Sequence, residues 1–363
     1  MTARTYLRPT GFVDAPFGYD RQVLRLAGGL IWFSAVELIR VEHDGRVSQQ
    51  LLPVSELEAA LDDRGRDVLA RIVAPRTPLR LGERTIRFDQ PQTMGILNVT
   101  PDSFSDGGKH VGDPEGAAEA GVAMAAAGAA IIDVGGESTR PGAAAIWEGD
   151  EAARVVPVIE RLARAGVAVS IDTRKAAVMT AALGAGATLV NDVSALTFDR
   201  EAADVVAGSG CPVVLMHHQG PPETMQKDPR YEDVLVEVYD WLEARIAATE
   251  AAGVPRDRIL IDPGIGFGKT LAHSLALLNG LSMFHGLGCP IVLGASRKRI
   301  IGALDNEAPS SRRLSGSVAL ALKGAEQGVQ LLRVHDVPET VQALKVWRGM
   351  RDEALTPRAD YSV

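Results

Sequence analysis

Eight short apolar runs in this chain each end on residues able to do chemistry. Asn98 closes the first, Asp133 and Glu137 follow the second, Asp172 ends the third and Asn191-Asp192 the fourth. His217-His218 end the fifth, Asp262 the sixth, Ser296 to Arg299 follow the seventh, and His335-Asp336 the eighth. One polar strand end is ordinary, because every chain must leave the core somewhere. Repeated at all eight, it describes a polar basin. Asp172, Asn191 and Asp262 suit the edge of a fused heterocycle, since a carboxylate accepts two parallel N–H bonds from an amidine-like edge such as a guanine or pterin ring presents. Lys298, Arg333 and His335 bring positive charge from the last two units, where barrels frequently bind phosphate. The set predicts a ligand with a heterocycle at one end and an anion at the other.

Three tempting motifs fail. The segment from Pro263 to Thr270 resembles a phosphate-binding loop, but Pro263 stands where the first glycine is required, and its glycines miss the dinucleotide pattern by one residue. Gly136-Glu137-Ser138-Thr139 has Arg140 where a nucleophile elbow needs its closing glycine. His217 and His218 are adjacent, so in an extended segment they face opposite ways and make a poor metal pair.

The elements that must position these residues follow from periodicity. The apolar runs cover 94–99, 130–134, 167–171, 188–190, 213–216, 259–261, 290–293 and 331–334. Helical stretches such as 115–127, 150–164, 175–183, 231–252, 311–327 and 338–350 lie between and after them. Continuous apolar strands imply burial on both faces, hence a parallel sheet with helices outside. Eight such units in about 270 residues fit a closed (β/α)8 barrel, with function at the strand ends. A hairpin at 79–88 is positioned to plug the opposite end. Residues 1–75 have another texture: strands at 24–26 and 30–41, a turn at 43–45, and a capping box from Ser55 to Glu58 opening a helix to about 72. The expected division is an α+β accessory domain at 1–75, the barrel at 76–350 and a tail at 351–363.

Composition removes other classes. Aromatic residues are 5% and the net charge is −8 with no basic stretch, which argues against nucleic-acid binding. No apolar segment is long enough to span a membrane and no leader pattern is visible at the amino terminus. Two cysteines make no disulfide framework and point to a reducing, cytoplasmic setting.

The motifs then resemble one family. Met94 to Gly108 is similar to the first signature of the dihydropteroate synthases, and Ile132 to Gly142 to the second. Ile171-Asp172-Thr173, Val190-Asn191-Asp192, Ile261 to Thr270, Gly294 to Lys298 and Arg333 to Val337 match further, in order. The resemblance implies a (β/α)8 barrel that joins 6-hydroxymethyl-7,8-dihydropterin diphosphate to 4-aminobenzoate. It implies that Asp172, Asn191, Asp262 and Lys298 hold the pterin, with Met216 and Phe267 lining its pocket. Asn98 matches a Mg²⁺ contact, and Thr139, Arg333 and His335 match diphosphate positions. Asp106 and Arg140 fall on loops that close over the reacting centre, giving a catalytic set of Asp106, Arg140 and Lys298. Arg299 stands where some members carry Ser, near the aminobenzoate carboxylate, and His218 where Met is common. A homodimer is expected, here through the apolar late helices. Two alternatives stay open: a pterin-dependent methyltransferase barrel, which needs no diphosphate set, and a non-catalytic pterin-binding paralogue.

Overall fold

The computed structural model describes residues 4–42, 45, 47–100, 112–138, 146–220 and 224–356. The chain begins with an antiparallel sheet of β1 (Arg4–Val13), β2 (Leu24–Arg25), β3 (Trp32–Val41) and β4 (Val47–Pro53), in which β3 pairs with the other three. The single helix expected from Ser55 is interrupted. A 3-10 turn (Val54–Glu56) and the one-turn α1 (Leu57–Ala60) precede an extended Leu61, and α2 (Asp63–Val73) starts afresh. The cap is Asp62, whose carboxylate accepts from Gly65 N at 2.6 Å, while Ser55 caps nothing. The turn expected at 43–45 lies largely outside the described residues.

The hairpin β5 (Leu79–Leu81) and β6 (Arg84–Ile86) leads into the barrel strands. These are β7 (Gln92–Asn98), β8 (Ile131–Gly135), β9 (Val169–Asp172), β10 (Leu189–Asp192), β11 (Val213–Met216), β12 (Ile259–Asp262), β13 (Val292–Leu293) and β14 (Leu331–Val334). All pairings are parallel, in the order β12-β11-β10-β9-β8-β7-β14-β13. A bridge between Ile261 and Ile291 closes the ring, with Ile261 N donating to Pro290 O at 3.0 Å. Around it run α3 (Pro114–Ala126), α4 (Glu148–Arg164), α5 (Ala176–Gly184), α6 (Ala202–Ser209), α7 (Val234–Ala251), α8 (Leu271–Asn279), α9 (Arg299–Leu304), α10 (Leu314–Glu326) and α11 (Val337–Leu355). The last helix outruns the expected boundary at 350 because Arg351 is buried, donating to Val13 O and pairing with Asp14 at 2.8 Å.

The hairpin does plug the barrel. Leu79, Leu81, Ile86 and Phe88 pack against Met94, Ile131, Ala168, Leu189, Val214, Leu260, Val292 and Leu331, one residue from each barrel strand or the residue just before it. The front sheet shares a core with the late helices, where Leu7, Ile31, Phe33 and Ile72 join Ala325 and Trp347. It also reaches α7: Tyr6 Oη donates to Asp240 at 2.9 Å, and its ring meets Tyr239 edge-on at 5.3 Å. The packing on Ala325 and Trp347 covers part of the face through which the late helices were expected to dimerise. Leu314, Val346 and Met350 stay exposed beside it. Among the described residues no helix is long and apolar enough to cross a membrane.

Candidate functional site

A cavity of about 820 Å³ opens at the strand ends. Asn98, Asp172, Phe267, Lys298, Arg333 and His335 line it, and buried Asn191, Met216 and Asp262 stand behind that wall. Strand alternation puts the strand-borne members of this set on one side, since side chains two residues apart share a face, while Phe267, Lys298 and His335 come from the loops after β12, β13 and β14.

Arg333, from β14, ties the floor together. Its Nε donates to Asp133 Oδ2 and its Nη2 to Asp172 Oδ2, each at 2.6 Å. Asn191 Nδ2 donates to the same Asp133 oxygen at 3.0 Å. A fork of fixed donors suits two carboxylates on neighbouring strands. The other oxygens, Asp133 Oδ1 and Asp172 Oδ1, are buried and have no hydrogen-bond partner among the described residues. Burial pushes the Asp172 carboxyl up to about 7, against the pull of Arg333, with Asp133 adding to the rise. Asp172 lines the cavity, so its open oxygen is the acceptor that a ligand's N–H group would satisfy.

Lys298 connects floor to wall. Its ammonium lies 4.2 Å from the Phe267 ring centroid and donates to Ile265 O. Burial lowers it to about 8 although Asp262 works the other way. Asp262 is raised by burial, opposed by Lys298 and by the N–H of Gly264, which donates to Oδ1 at 2.7 Å. At the rim, Ser296 Oγ meets His335 Nδ1 at 3.1 Å, and Arg297, held at φ +54°, pairs through Nε with Asp336 at 3.0 Å. A non-glycine residue in that left-handed region is strained and needs such an anchor. Arg299 lines the cavity at the start of α9.

Asp106, Thr139 and Arg140 lie outside the described residues. Asn98 ends β7 on the cavity wall as a neutral oxygen donor. Among the described residues no three His, Cys, Asp or Glu side chains cluster to hold a metal. One amide oxygen fits a Mg²⁺ ion, which keeps several waters and completes its shell with substrate phosphates.

Two partnerships escaped the sequence reading, which set Asp133 and Glu137 in the basin without assigning either a partner. Asp133 is one, bracing Arg333 and Asn191 from beneath the cavity lining, and the signal was available: a carboxylate inside the run Ile131-Ile132-Asp133-Val134 must find a partner when buried. Glu137 is the other, accepting from Lys175 Nζ and Ile146 N, both at 3.1 Å, with Lys175 also on Glu151 at 2.7 Å. The paired histidines do not face apart. Both rings sit edge-on to Trp241, at 4.9 and 6.0 Å, because the chain has left the strand at Met216.

The model of the family described as pterin binding enzyme matches residues 94–335. The dihydropteroate synthase of Escherichia coli (strain K12) is 48% identical over 263 residues, spanning 72% of this chain and 92% of that protein. The solved structure of the Xanthomonas albilineans dihydropteroate synthase with 4-aminobenzoic acid has a TM-score of 0.70 and 48% identity, covering 76% of this chain and 98% of that one. The same enzyme in complex with 7,8-dihydropteroate has a TM-score of 0.68 and 45% identity, covering 76% and 99%.

Proposed function

We propose that this chain, which belongs to the pterin-binding enzyme family and to the dihydropteroate synthases within it, holds its pterin on Asp172, Asn191, Asp262 and Lys298. It is a transferase that joins 6-hydroxymethyl-7,8-dihydropterin diphosphate to 4-aminobenzoate, releasing diphosphate and forming 7,8-dihydropteroate for folate synthesis. The carrying observation is the unpartnered Asp172 Oδ1 above the Arg333–Asp133–Asn191 network, an acceptor set for an amidine-like edge.

The chemistry follows from the leaving group. The C–O bond to diphosphate breaks with its electron pair going to oxygen, and the electron-rich pterin stabilises the cation left behind. The unprotonated aniline nitrogen then forms the C–N bond and loses a proton to diphosphate or water. Lys298, Arg333, His335 and Thr139 are assigned to the departing diphosphate, where preorganised donors act on developing charge. Mg²⁺, held by Asn98, would add charge neutralisation on the same oxygens. Asp106 is assigned the anion for the developing cation, and Arg140 is assigned with it to the catalytic set. No general base of the Ser-His-Asp kind is needed. A methyltransferase would have no use for the diphosphate set.

A coupling assay with radiolabelled 4-aminobenzoate tests this. Label should enter dihydropteroate when pterin diphosphate and Mg²⁺ are both present and slow sharply when the metal is chelated. No incorporation under either condition rejects the assignment. All of this chemistry is placed in the barrel, residues 76–350, with residues 1–75 as an accessory unit. The assembly we propose is a cytoplasmic homodimer through the late-helix surface that the front unit leaves open, around Leu314, Val346 and Met350. Light scattering that returns only the 38.5 kDa monomer at micromolar concentration counts against it.

A further inference from the structure

The glycine-rich segment dismissed as a phosphate loop has a different use. Gly264, Gly266 and Gly268 adopt φ of +68°, +82° and +62°, a course only glycine follows without strain. It lies directly on the loop after β11: a Cβ at Gly264 would come within 1.8 Å of His217 O, and one at Gly268 within 2.4 Å of Gln219 O. Four successive carbonyls of this segment each receive a side-chain donor. Lys298 serves Ile265 O, Gln226 serves Gly266 O, Lys269 serves Phe267 O at 3.0 Å, and Tyr231 serves Gly268 O at 2.9 Å.

We infer that Lys269 is a positioning residue that clamps the loops after β11 and β12 together and so sets the place of Phe267 and Lys298 in the pterin subsite, on the reading of that subsite given above. Its Nζ reaches across the loops to His217 Nδ1 at 2.8 Å while holding Phe267 O, and the residue is only 4% exposed. Lys269 lines the cavity, yet its ammonium is engaged by protein acceptors. His217 is buried against Trp241, and burial with Lys269 beside it lowers its titration to about 2, so the ring is neutral and Nδ1 accepts. Burial, and then Lys298, also lower Lys269. The Phe267 carbonyl is thus fixed from one side while its ring meets the Lys298 ammonium. Loss of the clamp loosens the wall that meets the pterin and leaves the other substrate's contacts alone.

Steady-state kinetics on the full chain test this. Lys269→Met keeps the stem and removes every donor, so the KM for pterin diphosphate should rise at least ~tenfold while the KM for 4-aminobenzoate stays within about twofold. Lys269→Gln keeps a donor and should fall between Met and the parent. His217→Gln added to Lys269→Met should bring little further change, because the two act through one bond. A folded Met variant with unchanged pterin KM overturns the inference. So does a rise of both KM values together, which a merely structural role would give. If the Met variant does not fold, an unchanged pterin KM in the Gln variant overturns it equally. Asp172→Asn is measured alongside. Lost pterin affinity there, with none lost at Lys269, rejects this inference alone, and no loss in either rejects the pterin site itself.

Discussion

Two residues separate the closed end of the barrel from its chemistry. Ile131 packs in the plug and Asp133 on the floor, and the same step leads from Leu189 to Asn191, Leu260 to Asp262 and Leu331 to Arg333. Because alternate side chains share a face, both layers point into one interior. The lower layer asks only to be filled, and aliphatic side chains plus Phe88 from the hairpin fill it. The upper layer must satisfy every buried charge, and it does so by pairing Arg333 with two carboxylates while leaving acceptors open. Stability and function are therefore stacked along the same strands with almost no distance between them.

The sharpest way to break this comparison is at its charged centre. Arg333→Met strands Asp133 and Asp172 without their countercharge, and breaking a buried pair from one side costs about 3 kcal/mol or more. We expect at least a ~hundredfold fall in kcat/KM together with that loss of stability in urea unfolding. A variant near the parent in both would mean that the network carries neither role. Asp262→Asn is milder. It preserves shape but turns one acceptor into a donor against an N–H edge, at a typical cost of ~1.5–3 kcal/mol. Calorimetry with a pterin ligand should show affinity weakened tenfold or more, and unchanged affinity would remove Asp262 from the pterin site.

The two layers were not equally readable in the sequence. The barrel strands stand out as apolar runs bounded by turns, and the eight expected runs overlap the eight observed strands because burial on both faces leaves no other composition open. The strand ends identified the basin for the same reason. Partnership was harder to read. Arg333, inside the last strand, was expected at the diphosphate, but its pairing with Asp133 and Asp172 could not be foreseen, because that contact is made across the ring rather than along the chain. In the front unit, β1 carries Pro9 and Gly11, and β4 is exposed at nearly every residue. Neither has an alternating apolar face, so neither was visible before β3 supplied the pairing. The helix after Ser55 was misjudged because the chain extends at Leu61 and Asp62, directly after it, was the better cap.

The smallest effect on activity should come from the closed end, and it is the one that isolates the two layers. Phe88 is 3% exposed and closes the plug beneath Leu260 and Leu331. Phe88→Ala removes a buried ring and leaves a cavity that aliphatic neighbours only partly refill, so unfolding free energy should drop by about 3–5 kcal/mol. The charged layer lies two residues further along each strand and is held by its own hydrogen bonds, so kcat/KM per folded molecule should stay within about twofold. Denaturant unfolding and active-site-normalised kinetics at a temperature well below the transition give both numbers. If kcat/KM instead falls in step with stability, packing at the plug sets the geometry of Asp133, Asp262 and Arg333, and the two ends form a single mechanical unit rather than a support and a site.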